Sequence, residues 1–160
     1  MSGDSKASLA AFRDGLREAR TLAARPGADE RARSDFALSL LLVDGMLSQT
    51  GDAAGAATIL AEGLPIAEPL VAAAPADPQY RRITYFLALD LGDAQPALVD
   101  HADALAAYIA ARDGAAAALA TDANDGKAAG RLKTSVGKIE LLANAMQVAR
   151  DFSGALRTLD

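Results

Sequence analysis

The chain has no cysteine among its 160 residues, so disulfides, thiolate metal sites and cysteine nucleophiles are excluded. Aromatic residues make up only 4%, too few for thick layers of bulky side chains. Runs of Val, Ile, Thr and aromatics alternating with polar residues are nearly missing, and the strand signal with them. No basic-then-apolar leader opens the chain, and no apolar run approaches the length that spans a bilayer. The expectation from these two absences is a cytoplasmic protein without a membrane partner. Positive charge is short too. The net charge is −5, which disfavours a nucleic-acid partner because phosphate binding needs a positive field.

What the chain does have is alanine. The apolar fraction is 51%, much of it alanine, the best helix former and the side chain that lets helices approach closely. Apolar residues recur at steps of three and four throughout. The first helix is expected from a cap at Asp4 to about Ala24, with Leu9, Phe12, Leu16, Ala19 and Leu22 on one stripe. Arg25-Pro26-Gly27 ends it. Asp29 or Ser34 opens a second helix reaching about Gln49, apolar nearly all round and therefore expected between neighbours.

Asp52 caps the third helix, in which Pro65 and Pro69 predict a bend near Gly63-Leu64-Pro65 or two shorter helices end to end. Asp77 caps the fourth, with Pro78 at its first position. Asp100 caps the fifth. The segment Asp122 to Gly126 is a turn before the sixth. Arg150-Asp151 is expected to begin a seventh.

One figure recurs: a small residue, a large one four later, a small one three later. It appears at Ser8, Phe12, Gly15; at Ala56, Leu60, Gly63; at Ala104, Tyr108, Ala111; and begins again at Ala155, Leu159. The offsets are 48, 48 and 51 residues. A period of this size in a helical chain reads as helix pairs, none of which can bury its own stripe alone. The units are half a repeat at 3–30, repeats at 31–76 and 77–124, and a partial repeat at 125–160. Together they form one domain, either whole or a fragment of a longer array.

These residues make the chain resemble the tetratricopeptide-repeat proteins. Their second helix carries the same small-large-small figure. Their first helix carries a large residue, Leu, Gly and a large residue, matched here by Leu40, Val43, Asp44, Leu47, by Ala88, Leu91, Gly92, Gln95 and by Ile139, Leu142, Ala143, Met146. Asp44 stands where Gly is usual, and Gln95 is polar at an apolar site. The family's usual period is about 34, so the resemblance is to its long-helix variants, often found in bacterial multidomain proteins. It implies an all-α stack of antiparallel helix pairs, a TPR-like solenoid, with about seven helices. It also implies a concave face made by the first helices of the pairs, holding a peptide or a partner helix. Carried over by position, that face comprises Leu38, Leu41, Gly45 and Ser48, then Phe86, Leu89 and Asp93, then Glu140, Asn144 and Gln147.

The residues supply little else for chemistry. His101 is the only histidine. Beside Asp100 and Asp103 it reads as a first-turn polar residue before it reads as a ligand. Ser, His and Asp occur without a nucleophile elbow, and Gly130 to Lys138 lacks the spacing of a phosphate loop. Lys127, Arg131, Lys133 and Lys138 form a basic segment, read as a solvated face. The expectation is a non-enzymatic scaffold for protein interaction, with no cofactor and no metal. The alternative is a structural module that self-associates as a homodimer through its terminal helices, where Phe12 and Phe152 lie.

Overall fold

A computed structural model describes the backbone of residues 3–94 and 101–157, and side chains between residues 8 and 148 of that span. The described residues form six α-helices and no strand: α1 Gly3–Ala23, α2 Glu30–Thr50, α3 Ala53–Ala73, α4 Pro78–Ala94, α5 His101–Thr121 and α6 Gly126–Arg157. The all-α expectation holds.

Aspartates set the starts. Asp29 accepts from the Ala32 N–H at 2.8 Å, Asp52 from Gly55 at 2.9 Å, and Asp77 from Gln79 at 2.7 Å and Tyr80 at 3.2 Å. Asp125 accepts from Lys127 at 2.9 Å and Ala128 at 3.0 Å. Each satisfies helix-end donors that have no intrahelical partner. The Ala128 bond leads in holding the Asp125 carboxyl below its usual range. The Asp100 cap lies outside the described residues. Asp4 falls inside α1 rather than before it, because that helix already begins at Gly3. Gly51, at φ 75°, closes α2. Its N–H donates to Ser48 and that of Asp52 to Leu47, which uses up carbonyls left open at the helix end.

Of the two outcomes expected at the prolines of α3, a bend or two shorter helices, the second is excluded: α3 is one helix through Pro65 and Pro69. Each proline withholds one donor from the carbonyl four residues earlier, at Ala61 and Pro65. Ala61, Pro65 and Pro69 are all exposed, so on this face water can take the place of the missing bonds. Likewise, Arg150-Asp151 starts no new helix: α6 runs straight through it for 32 residues. No glycine or proline stands there to stop it.

α3 is also the one described helix long and apolar enough to cross a membrane by length and composition. Counting runs of large apolar residues missed this, because Ala and Pro supply much of its length. In the fold it is a core helix. Ala56, Leu60, Gly63, Ala67 and Leu70 are buried, and Glu62 pairs with Arg20 of α1.

Each helix packs against the next in sequence, and α2 also touches α4. Side-chain bonds show the order of the alternate helices. From α4, Gln79 donates to Ser34 of α2 at 3.3 Å, and Tyr85 donates to the Arg131 carbonyl of α6 at 3.1 Å. Further along, α4 supplies Asp93, which pairs with Lys138 of α6 at 2.7 Å. Contacts between α4 and α6 advance in the same direction along both helices, so the two run parallel. α2 and α4 do the same, from Ser34 with Gln79 to Ser48 beside Asp93. Sequential neighbours joined by short loops are therefore antiparallel.

Two apolar clusters hold the helices. One gathers Leu16, Phe36, Leu40, Leu60 and Leu87; the other Tyr85, Leu89, Tyr108, Ala111 and Leu142. The 48-residue offset is visible in burial. Ala56, Leu60, Gly63, Ala67 and Leu70 are buried in α3, and so are Ala104, Tyr108, Ala111, Ala115 and Ala118 in α5. In α2 and α4 the buried pairs at this offset are Ala37 with Tyr85, Leu40 with Ala88, Val43 with Leu91 and Asp44 with Gly92. At three of these positions a small residue in one unit corresponds to a large one in the other: Ala37 and Tyr85, Leu40 and Ala88, Leu70 and Ala118.

Candidate interaction face of α2, α4 and α6

The residues expected on the concave face fall on the three mutually parallel helices. On α2, Leu38 and Leu41 are half-buried against the first core, while Gly45 and Ser48 are exposed. On α4, Phe86 is 37% exposed and Asp93 is exposed, but Leu89 is 8% exposed and packs in the second core. Leu89 therefore offers little surface. On α6, Glu140, Asn144 and Gln147 are exposed.

Phe86 is built into an aromatic step. Its ring stands edge-on to Tyr85, centroids 5.1 Å apart and planes at 78°. The Arg131 guanidinium lies over both rings, 5.5 Å from Tyr85 and 5.9 Å from Phe86. A cation held over ring faces is attracted by their quadrupoles. The Tyr85 hydroxyl fastens the step by donating to the Arg131 carbonyl. The exposed part of the Phe86 ring is thus held in place.

Ser48 and Asp93 come together at one end of the face. With Asp44, Asp90, Gly51, Ala53, Ala56 and Ala94 they line a cleft of about 430 Å³. Asp93 is committed: Tyr108 donates its hydroxyl to it at 2.7 Å, and Lys138 pairs with it. Burial, then the Asp93 bond, push the Tyr108 hydroxyl well above its ordinary range. Asp44 is buried and accepts from the Ser48 hydroxyl at 3.2 Å. Burial raises its carboxyl despite that bond. Asp90 is pushed up to about 6, first by burial, then by Asp44 and Asp93, with Lys138 opposing. Glu140, Asn144 and Gln147 stand outside this cleft.

Asp90 gives a pH dependence of definite sign. Between the usual carboxylate range and about pH 6, the folded protein holds a proton on Asp90 that the unfolded chain has released. The contribution of Asp90 to stability therefore falls as pH rises through that window and is flat above it. Asp90→Asn should raise stability at pH 7 by roughly 1 kcal/mol after allowance for solvent screening, a few degrees in Tm. Near pH 4 the gain should vanish. Melting curves of both proteins across this range check it.

The sequence reading missed Asp90, and it missed a second cleft of about 400 Å³ between α1, α2 and α3. Arg20, Arg33, Phe36, Glu62, Pro65, Ile66 and Pro69 are among its lining. Arg20 lies 5.5 Å over the Phe36 ring while its Nη2 pairs with Glu62 at 2.6 Å. No local pattern joins residues 42 apart such as Arg20 and Glu62. His101 sits in the first turn of α5, half-buried, and its enclosed Nδ1 has no hydrogen-bond partner. Among the described residues no group of three His, Cys, Asp or Glu could hold a metal ion.

Comparison with known proteins finds no match: no family model, no curated protein and no solved structure resembles the chain.

Proposed function

We propose that the protein is a TPR-like stack of helix pairs and works as a non-enzymatic scaffold. It would hold a peptide or partner helix on the face of α2, α4 and α6. The observation that carries this reading is the parallel alignment of these three helices, with a fixed, partly exposed aromatic, Phe86, on the middle one. Leu38 and Leu41 supply apolar floor on one side of it. Glu140, Asn144 and Gln147 offer polar groups on the other. Apolar anchors with a few polar groups are what a groove needs to hold a segment in one orientation. The buried figures repeating at 48 residues support the stack.

Random peptides displayed on phage, panned against the protein, test the reading. Enriched peptides should bind the wild-type chain and lose at least tenfold in affinity to Phe86→Asp, about 1.4 kcal/mol or more. Failure to enrich any sequence, or equal binding to Phe86→Asp, would overturn it. A second reading, self-association through the end helices, is favoured by one observation: Phe12 of α1 is 39% exposed.

A further inference from the structure

The small-large-small figure occurs three times within the described helices but is buried only twice. In α3, Ala56 and Leu60 are 1% and 0% exposed, and in α5, Ala104 and Tyr108 are 0% and 4%. In α1, Ser8 and Gly15 are exposed and Phe12 is 39% exposed. The glycines say the same. A Cβ at Gly63 would press on Leu40 of α2 and Leu87 of α4, whereas a Cβ at Gly15, 48 residues earlier, would meet nothing within 4 Å. So α1 carries the residues of a buried face, and that face is exposed.

The fold also shows what covers such a face. In α5 the large residue, Tyr108, lies on Gly92 of α4, so closely that a Cβ there would overlap the ring. The counterpart of Gly92 on α6, 51 residues on, is Ala143. Leu142 is buried, like its counterpart Leu91, but residues 143–148 are all exposed, Met146 and Val148 among them. α6 thus offers an uncovered small-residue seat, and α1 an uncovered large residue of the type that fills it.

We propose that the chain associates head to tail with a second copy of itself, Phe12 of α1 seating on Ala143 of the other copy's α6, beside Met146. The contact would repeat between chains the packing that Tyr108 and Gly92 make within one. It rests on the stacked-pair reading but needs no peptide ligand, so the display experiment and this one can fail separately. Because the two surfaces differ, every open assembly keeps one free seat at one end and one free knob at the other, and growth continues unless the ends meet and close a ring. A symmetric dimer would instead use the same surface twice.

Complementation tests this. In sedimentation velocity over the micromolar range, the wild type should form species beyond the dimer as concentration rises. Phe12→Asp and Ala143→Asp alone should each stay monomeric with unchanged helical circular dichroism. Mixed in equal amounts they should give a dimer of twice the monomer mass and nothing larger. In that pair the intact α1 of the Ala143→Asp chain meets the intact α6 of the Phe12→Asp chain. The absence of native cysteine permits a second measurement. Phe12→Cys chains should cross-link to Ala143→Cys chains more readily than to themselves. A wild type that remains monomeric, a mixture that gives no dimer, or dominant Phe12→Cys homodimers would overturn the proposal.

Discussion

Truncating Tyr108 to alanine should lower the unfolding free energy by about 3–5 kcal/mol, read as a fall in denaturant midpoint at unchanged slope. The ring is 4% exposed and lies directly on the Gly92 backbone. Truncation leaves a cavity that a helix pair held by small residues cannot easily close. It also strips Asp93 of its hydroxyl donor. Tyr108→Phe separates these effects, since it keeps the packing and should cost only about 1 kcal/mol. Gly92→Ala approaches the same contact from the other side. Alanine gains up to about 1 kcal/mol of helix propensity, but its Cβ would overlap a ring pinned at its far end. The net effect should be a loss of about 1–2 kcal/mol. Gly63→Ala meets only the ends of Leu87 and Leu40, which can rotate aside, and should cost much less.

The decisive measurement is the double variant. At the positions 48 residues earlier, the chain has Asp44 in place of Gly92 and Leu60 in place of Tyr108. A shorter large residue there accompanies a side chain where the second unit tolerates none. In a Tyr108→Leu background, Gly92→Ala should therefore lose most of its penalty, a coupling above about 1 kcal/mol. Strict additivity would mean that the two positions do not share one space.

How far the sequence could be read follows from the range of each interaction. The caps at Asp29, Asp52 and Asp77 act within three residues of themselves and were legible as aspartates before apolar runs, whereas Asp125 was legible only as part of the turn at 122–126. The large positions of α3 and α5 were legible because one figure, repeated, is a stronger signal than either copy. The continuity of α3 was not. Its prolines cost little only because they lie on an exposed face, and exposure is a tertiary fact. The end of α6 was misplaced for a related reason, since no residue near Arg150 forces a stop. The site was harder still. Ser48 and Asp93 were expected on one face, but the cleft they share depends on α2 lying beside α4. In the sequence Asp44 stands out only as a departure from glycine, and Asp90 carries no local signal at all. Leu89 was misread because helical spacing alone cannot tell a groove floor from the core directly beneath it.

Leu60→Ala should cost about 2–5 kcal/mol, while Phe12→Ala, at the same place in the figure one unit earlier, should change the stability of the dilute monomer by under about 1 kcal/mol. Leu60 has no exposed surface and belongs to the cluster that joins α2, α3 and α4 through Leu40 and Leu87. Removing most of its side chain loses transfer energy and leaves a void among residues already in contact. Helix α3 already lies close against Leu40 and Leu87 at Gly63, so it has little room to move further in and fill the void. Phe12 has been left partly in water, so its truncation returns little burial and opens no cavity. The contrast tests the repeat as a physical unit rather than a pattern of letters. One figure should be energetically silent where it is left exposed and costly where neighbouring helices cover it. Equal small losses at both positions would mean that the 48-residue alignment places Leu60 wrongly in the core. Equal large losses, measured where the chain is monomeric, would mean that Phe12 already has a covering partner within its own chain.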